Sequence, residues 1–483
     1  MHRIALTKVR QSSHYIPVVI FVFFWGFYSL TARGLISEAD GIVNFMTTQS
    51  IVETASFAVS CDYPDIFIVQ GVDEKCYSKY GIGWPLMSIP LYLVGRFISG
   101  PVPPNPNELS LPRLTVSTLN QFVTAATCST LYVLGFRISS DRRRAVELTF
   151  AFGLLTIAWP YASTSFSQPV IGFLILFSIM LVGSSNRSPM RSLLAGFALG
   201  VAFLVRLDSL LLILMVFIWM MHKIKSAKTG LDKGSVLSIT TISVPIFASF
   251  AVFAIAQLSH YGSLFQTGYG GEGWSSPFLT GFFGLLFSFG KGVVFYSPLI
   301  LLALPGLFIL YRQGVKDLAL LAFLLFVSQL LAYSSWWSWM GGWSWGPRFL
   351  VPSLPLLMIG LLPWLNSRTF ARKSVCCLSL VSFVVQIVGV TTDPLQYYLN
   401  HEIVENQLLY NPAFSPIWVQ FQYLVSREVS LMIPSNAHGV LTQAQTMLWA
   451  AIILLLLTLS GRELIVATTR ANDETLDLNS SQE

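Results

Sequence analysis

The sequence predicts an all-α polytopic membrane protein, a bundle of about 12 transmembrane helices with juxtamembrane helices in the first external loop. Three observations predict it. Of the 483 residues, 54% are apolar and only 11% charged, against roughly 25% charged in an average soluble domain. Apolar runs recur from Ile16 to Leu459, several of about 20 residues and therefore long enough for a hydrocarbon core of roughly 30 Å. The basic residues fall into short loops between the runs, where they set orientation. The net charge of +6 is accordingly read as topology and not as a nucleic-acid surface. An aromatic content of 14% fits the same class, since Trp and Tyr favour the headgroup layer.

Taken in order, residues 1–15 are expected to be a cytoplasmic N-terminus whose Arg3, Lys8 and Arg10 lead into a retained first span, Ile16 to Leu35. An external loop, residues 37–100, follows. Its first part, Gly41 to Val59, has an imperfect helical stripe of Ile42, Phe45, Met46 and Val52 broken by Gln49 and Glu53, which suits a helix lying on the membrane surface. The piece Pro85 to Ile98 has about 14 residues and contains Pro90, so it is short for a crossing and is placed in the outer leaflet. That placement also puts Arg137, Arg142, Arg143 and Arg144 on the cytoplasmic side. Spans are then expected at Arg113 to Phe136, Ala145 to Tyr161, Pro169 to Val182, Leu193 to Val205, Leu210 to Met221 and Val236 to Leu258. The Gly-rich stretch His260 to Lys291 is external, with Phe278 to Phe289 dipping into the bilayer. Four more spans, Val293 to Tyr311, Leu318 to Tyr333, Phe349 to Leu365 and Val375 to Val390, precede an external segment, residues 391–440, and a last span, Leu441 to Leu459. One membrane domain thus covers residues 16–460, and the polar tail 461–483 is expected to be cytoplasmic and disordered.

Cys128, Cys376 and Cys377 lie in apolar runs, where thiols behave as small hydrophobes. Cys61 and Cys76 lie in the external loop, either as two free thiols or as a disulfide closing a loop of about 15 residues.

Under this topology the conspicuous polar residues fall on one side: Asp40, Lys79 with Tyr80, Arg206, Asp208, His260, Lys291 and Arg348. Each alone has a plainer reading. Lys79 and Lys291 suit interfacial snorkelling, His260 suits a headgroup-level position, and Arg206 suits a simple pair with Asp208. Trp336, Trp337, Trp339, Trp343 and Trp345 read as an aromatic belt. Convergence points further, because an acid, several cations and aromatic rings at the outer bilayer surface make a site for a lipid-linked phosphate.

These residues also carry a resemblance. Glu38-Ala39-Asp40-Gly41 after the first span, Tyr77-Ser78-Lys79-Tyr80-Gly81-Ile82-Gly83, Gly290-Lys291-Gly292-Val293-Val294-Phe295-Tyr296-Ser297-Pro298 and Trp339-Met340-Gly341-Gly342-Trp343-Ser344-Trp345-Gly346-Pro347-Arg348 resemble the bacterial relatives of protein O-mannosyltransferases. That is the GT-C fold, which also includes the lipid A aminoarabinose transferases. The resemblance implies a glycosyltransferase of the cytoplasmic (inner) membrane, multi-pass, with its active site facing outside. It would move a sugar from a polyprenyl-phosphate donor to a hydroxyl on a glycan, lipid or protein acceptor. Asp40 matches the acid at the start of the first external loop and would act as general base, with Glu38 as an auxiliary acid. Lys79 and Tyr80 sit where relatives bind the donor phosphate, and Lys291 and Arg348 are further cations for it.

One departure stands out. Where several relatives carry a second acid after the third span, this chain reads Ser163-Thr164-Ser165-Phe166-Ser167-Gln168-Pro169. Gln168, with Arg206 and His260, is therefore a candidate for binding substrate, and no metal cofactor is expected, a divalent cation staying open as an alternative. The rival from another class is a transporter or lipid flippase. Such proteins show repeated halves and ionisable groups near the bilayer midplane, whereas these charges cluster at one rim. Sugar, prenyl carrier, acceptor and oligomeric state are not legible.

Overall fold

The structure, a computed structural model, describes residues 15–64, 66–100, 109–183, 188–226, 233–266, 268–366, 370–391, 404–426 and 441–480. The first two residues of the expected cytoplasmic terminus and the rest up to residue 14 lie outside that set, as do residues 392–403, 427–440 and the last three of the tail. Among the described residues, seven helices are long and apolar enough to cross a membrane, and five shorter apolar ones of 10–17 residues stand with them. The result is a polytopic helical bundle, as the hydropathy pattern predicts.

Helix α1, Ile16–Thr31, begins with Pro17 in its first turn, where the missing N–H has no partner to lose. It packs on α5, Leu119–Ser139, and on the last long helix, Gln443–Ser480. Gly153 lets it sit close to α6, Arg142–Leu155: a Cβ there would lie 2.3 Å from the Phe24 ring. The Tyr28 hydroxyl donates to the Gly153 carbonyl at 2.9 Å. Between α1 and α5 lie α2, Ala39–Thr54, α3, Gly83–Ser99, and α4, Leu111–Ser117. The pair α9, Pro189–Val205, and α11, Lys233–Tyr261, uses Gly196 and Gly200 in the same way, with Ile242 O only 2.2 Å from a Cβ built at Gly196. Small residues one turn apart permit this close approach in lipid, where backbone proximity and dispersion hold helices together.

Several predicted spans are broken, Ala145 to Tyr161 among them, which splits at Thr156 into Arg142–Leu155 and Ala158–Ala162. Val293 to Tyr311 splits at Pro298 into Val293–Tyr296 and Ile300–Arg312. The run Arg348–Leu365 is a string of 3₁₀ and short α segments, because Pro352, Pro355 and Pro363 each remove a backbone donor. At the other end the chain departs from an expected disordered tail: the helix runs on from Gln443 to Ser480, through residues 461–480. Helix formers such as Arg462, Glu463, Leu464 and Ala467 continue it, and Leu464 and Ala467 are buried.

The segment between α1 and α4 builds the layer that carries the site. As predicted, α2 and α3 are two separate helices, packed on each other through Thr48 and Ser88, whose hydroxyls are 2.7 Å apart. Between them the sequence reading had no strands. The structure has a small antiparallel sheet in the order β1, Ala58–Val59, then β3, Cys76–Ser78, then β2, Ile68–Gln70, with Val69 opposite Tyr77. Strands of two or three residues show no alternation to read. Cys61 and Cys76 form a disulfide that closes this sheet.

Candidate active site

Strand β3 delivers the chain straight into Lys79 and Tyr80, and two glycines then fix where they stand. A Cβ at Gly81 would lie 2.1 Å from Leu204 O, and one at Gly83 2.5 Å from Val205 N, so this coil is pressed on the end of α9. From the other side, Asp40 occupies the first turn of α2, where a carboxylate is favoured by the helix N-terminus. Gly41 next to it leaves room for Ser165, 2.7 Å from a built Cβ. The third wall is the loop Trp336 to Phe349, turned by Gly341, Gly342 and Gly346, which all have positive φ.

Between these walls lies a cavity of about 870 Å³. Asp40 is only 8% exposed, and it holds two partners: Tyr80 donates to one carboxylate oxygen at 2.9 Å and Arg348 Nη1 to the other at 3.0 Å. Burial alone would raise the Asp40 carboxyl, but the charge of Arg348, followed by Arg206, the Tyr80 hydrogen bond and Lys79, outweighs it and holds the group below its ordinary value. Burial and then the Asp40 charge push the Tyr80 phenol up, so it stays a donor. The Arg348 guanidinium lies over the rings of Phe166, at 4.8 Å, and Phe349, at 5.1 Å. These contacts fix its plane against the acid.

The remaining sequence candidates divide. Lys79 lines the cavity among Phe67, Tyr80 and Tyr269, its ammonium 5.4–5.6 Å from the three ring centres. It also forms an ion pair with Glu272 at 2.7 Å. Arg206 lines the cavity and pairs with Asp208 at 3.0 Å, while the Tyr333 hydroxyl donates to the same acid. Lys291 is only 1% exposed; its ammonium donates to Gly342 O at 2.7 Å, to Ser344 O and to Ser344 Oγ. Burial, then the nearby Arg348 charge, holds this lysine well below its usual value. It reaches the cavity as the peg that fastens the Gly-rich loop. Glu38 also lines the cavity and accepts from Ser165 N at 3.3 Å.

Two candidates are not brought to the cavity. His260 stacks on Tyr77 at 3.8 Å behind the sheet, and its carbonyl accepts from Val72 N. Gln168 opens α8, Gln168–Val182, and is buried with neither amide atom hydrogen-bonded among the described residues. Of the tryptophans read as a belt, Trp336, Trp337, Trp343 and Trp345 line the cavity, Trp337 and Trp343 keeping exposed faces, and Trp339 is buried. Tyr269, Glu272 and Phe166 went unnoticed in the sequence. For the first two the available signal was the string Gly268-Tyr269-Gly270-Gly271-Glu272-Gly273 in a Gly-rich segment between apolar runs. Among the described residues no three His, Cys, Asp or Glu side chains gather as a metal-binding set.

Two crystal structures of ArnT from Cupriavidus metallidurans share this architecture. The apo state matches with a TM-score of 0.50 at 14% identity, over 94% of this chain and 76% of that one. The form bound to undecaprenyl phosphate matches with 0.52 at 12% identity, over 93% and 77%. The chain has a GT-C fold. No protein-family model and no curated protein sequence matches it. Within this fold the loop after the first helix supplies the acid and the Gly-Trp loop supplies its arginine, a sequence separation of 308.

Proposed function

We propose that this protein is a membrane glycosyltransferase that moves a hexosyl or pentosyl unit from a polyprenyl-phosphate donor to an acceptor hydroxyl at the outer face of the cytoplasmic membrane. The observation that carries the reading is the ionised Asp40, held by Tyr80 and Arg348 in a cavity also lined by Lys79 and Arg206. Support comes from the motifs at Asp40, Lys79, Lys291 and Arg348, and from a fold shared with an ArnT that was crystallised with undecaprenyl phosphate.

In this reading the acceptor oxygen attacks the anomeric carbon while its proton passes to an Asp40 oxygen, and the bond from that carbon to the phosphate oxygen breaks. The lipid phosphate leaves with one more negative charge. Lys79 and Arg348 stabilise that charge, and they do so strongly because the site is partly desolvated. The acceptor is a glycan, a lipid or a protein. The low basicity of Asp40 requires the hydroxyl proton to leave late, once the forming bond has made the oxygen acidic.

The test is sugar transfer by the purified protein in lipid nanodiscs, supplied with polyprenyl-phosphate sugars from a membrane extract and acceptor-containing envelope material. Products are read by mass spectrometry. Asp40→Asn is expected to lower transfer by about 10²- to 10⁴-fold with polyprenyl-phosphate binding retained. Full activity in that variant removes Asp40 as the base.

A further inference from the structure

The ion pair between Lys79 and Glu272 presents a conflict. Lys79 is the cation best placed for a lipid phosphate, yet an acid of the protein already occupies it at 2.7 Å. Both side chains are largely shielded, 8% and 18% exposed, so a second anion cannot approach the ammonium without strong repulsion from the first.

The loop bearing Glu272 is attached at both ends, and between them Tyr269 packs edge-on against Trp336 while Glu272 N donates to Tyr269 O at 3.0 Å. At its start Gly268 lies against Lys79, 2.5 Å from a built Cβ to the lysine Cα. At its far end Gly273 O accepts from Trp337 N at 2.9 Å, and Trp274 Nε1 donates to Ala332 O at 2.8 Å. Between these anchors, Cβ atoms built at Gly270 and Gly271 meet nothing within 4 Å, and Gly271 has φ +85°. Two open glycines directly before Glu272 let the backbone turn there while Tyr269 stays packed.

We infer that Glu272 is a positioning residue that stands in for the donor phosphate. It holds Lys79 in place while the site is empty, gives way when the lipid phosphate arrives, and returns to the ammonium to help the spent polyprenyl phosphate leave. The inference rests on the transferase reading above. It assigns Glu272 a role opposite to that of an ordinary supporting acid, because removing its charge strengthens binding of the anionic lipid.

Binding of undecaprenyl phosphate to the full-length protein in detergent tests this, with quenching of the cavity tryptophans as the signal. Glu272→Gln is expected to bind about tenfold tighter than the unmodified protein, the size of one close charge coupling, and to release the lipid more slowly. Glu272→Asp keeps the charge and should return affinity toward the original value; it also separates loss of charge from loss of fold. Unchanged or weaker binding by Glu272→Gln overturns the inference and makes the acid a prop for Lys79. If the unmodified protein binds no undecaprenyl phosphate while remaining monodisperse, the transferase reading itself fails and takes this one with it.

Discussion

Replacing Arg348 by Gln removes the charge facing Asp40 and leaves a neutral amide on a shorter side chain. The pair is 3.0 Å apart with both side chains mostly shielded, 15% and 12% exposed. At an effective dielectric of about 20 the gross attraction is about 5 kcal/mol, much of it offset by the cost of desolvating both groups. One close opposite charge moves a carboxyl by about 1 to 3 pKa units. The sign follows from the site. Asp40 is held below the ordinary carboxylate value, so it is ionised above that lowered pKa and loses its basicity only as pH falls through it. Without Arg348, burial is opposed only by Arg206, Tyr80 and Lys79, and the carboxyl rises. Under the proposed transfer, the acid limb of the rate should therefore move up by about 1 to 3 pH units, and the variant should fail at mildly acidic pH where the unmodified protein works. The assay is the initial transfer rate from about pH 3 to about pH 9, each profile scaled to its own plateau so that weaker donor binding does not enter. An acid limb at the same pH in both proteins refutes the claim that Arg348 keeps Asp40 ionised.

Further outcomes follow from the same geometry. Lys79→Ala should weaken undecaprenyl-phosphate binding by about tenfold or more, with equilibrium binding as the check; unchanged affinity would leave the ammonium without its assigned task. Gly81→Ala forces a Cβ to within 2.1 Å of Leu204 O, so the coil must shift and Tyr80 should lose its hold on Asp40; transfer should drop at least tenfold while the protein still elutes as a folded species. Cys61→Ser should destabilise the external layer by about 3 kcal/mol for a loop of this length, read as earlier thermal unfolding and faster proteolysis between Ser56 and Ser78. Equal protease resistance with and without reductant would show that the bridge adds nothing to the native layer.

Hydropathy made the bundle and the surface helices legible because both depend on apolar periodicity alone. Asp40 was legible for a similar reason: an acid directly after the first span is conspicuous, and its motif adds weight. What the sequence hides is which side of an element faces the cavity. His260 and Gln168 lie near the site in the fold, yet one turns behind the sheet and the other into the helices. Tryptophans at a membrane interface and tryptophans lining a cavity have the same composition, so the belt reading of residues 336–345 was natural. Glu272 was overlooked because glycines around an acid look like a solvated turn until the distant lysine is placed beside it. The strands, two or three residues long, depend on a disulfide and on pairing partners that no local pattern announces.

Asp40 and Arg348 lie 308 positions apart in the chain. A ribosome therefore releases the acid early and its counter-charge late, with most of the membrane helices made in the interval. Through that time the carboxyl has no permanent guanidinium and has every reason to stay hydrated or protonated. A product cut short anywhere before residue 348 would carry the acid without its closest counter-charge, with at most Arg206, Tyr80 and Lys79 to favour the anion. Completion of the polypeptide and pairing of Asp40 with Arg348 thus become one event, and a fragment of the amino-terminal half should not hold the carboxylate in its final setting.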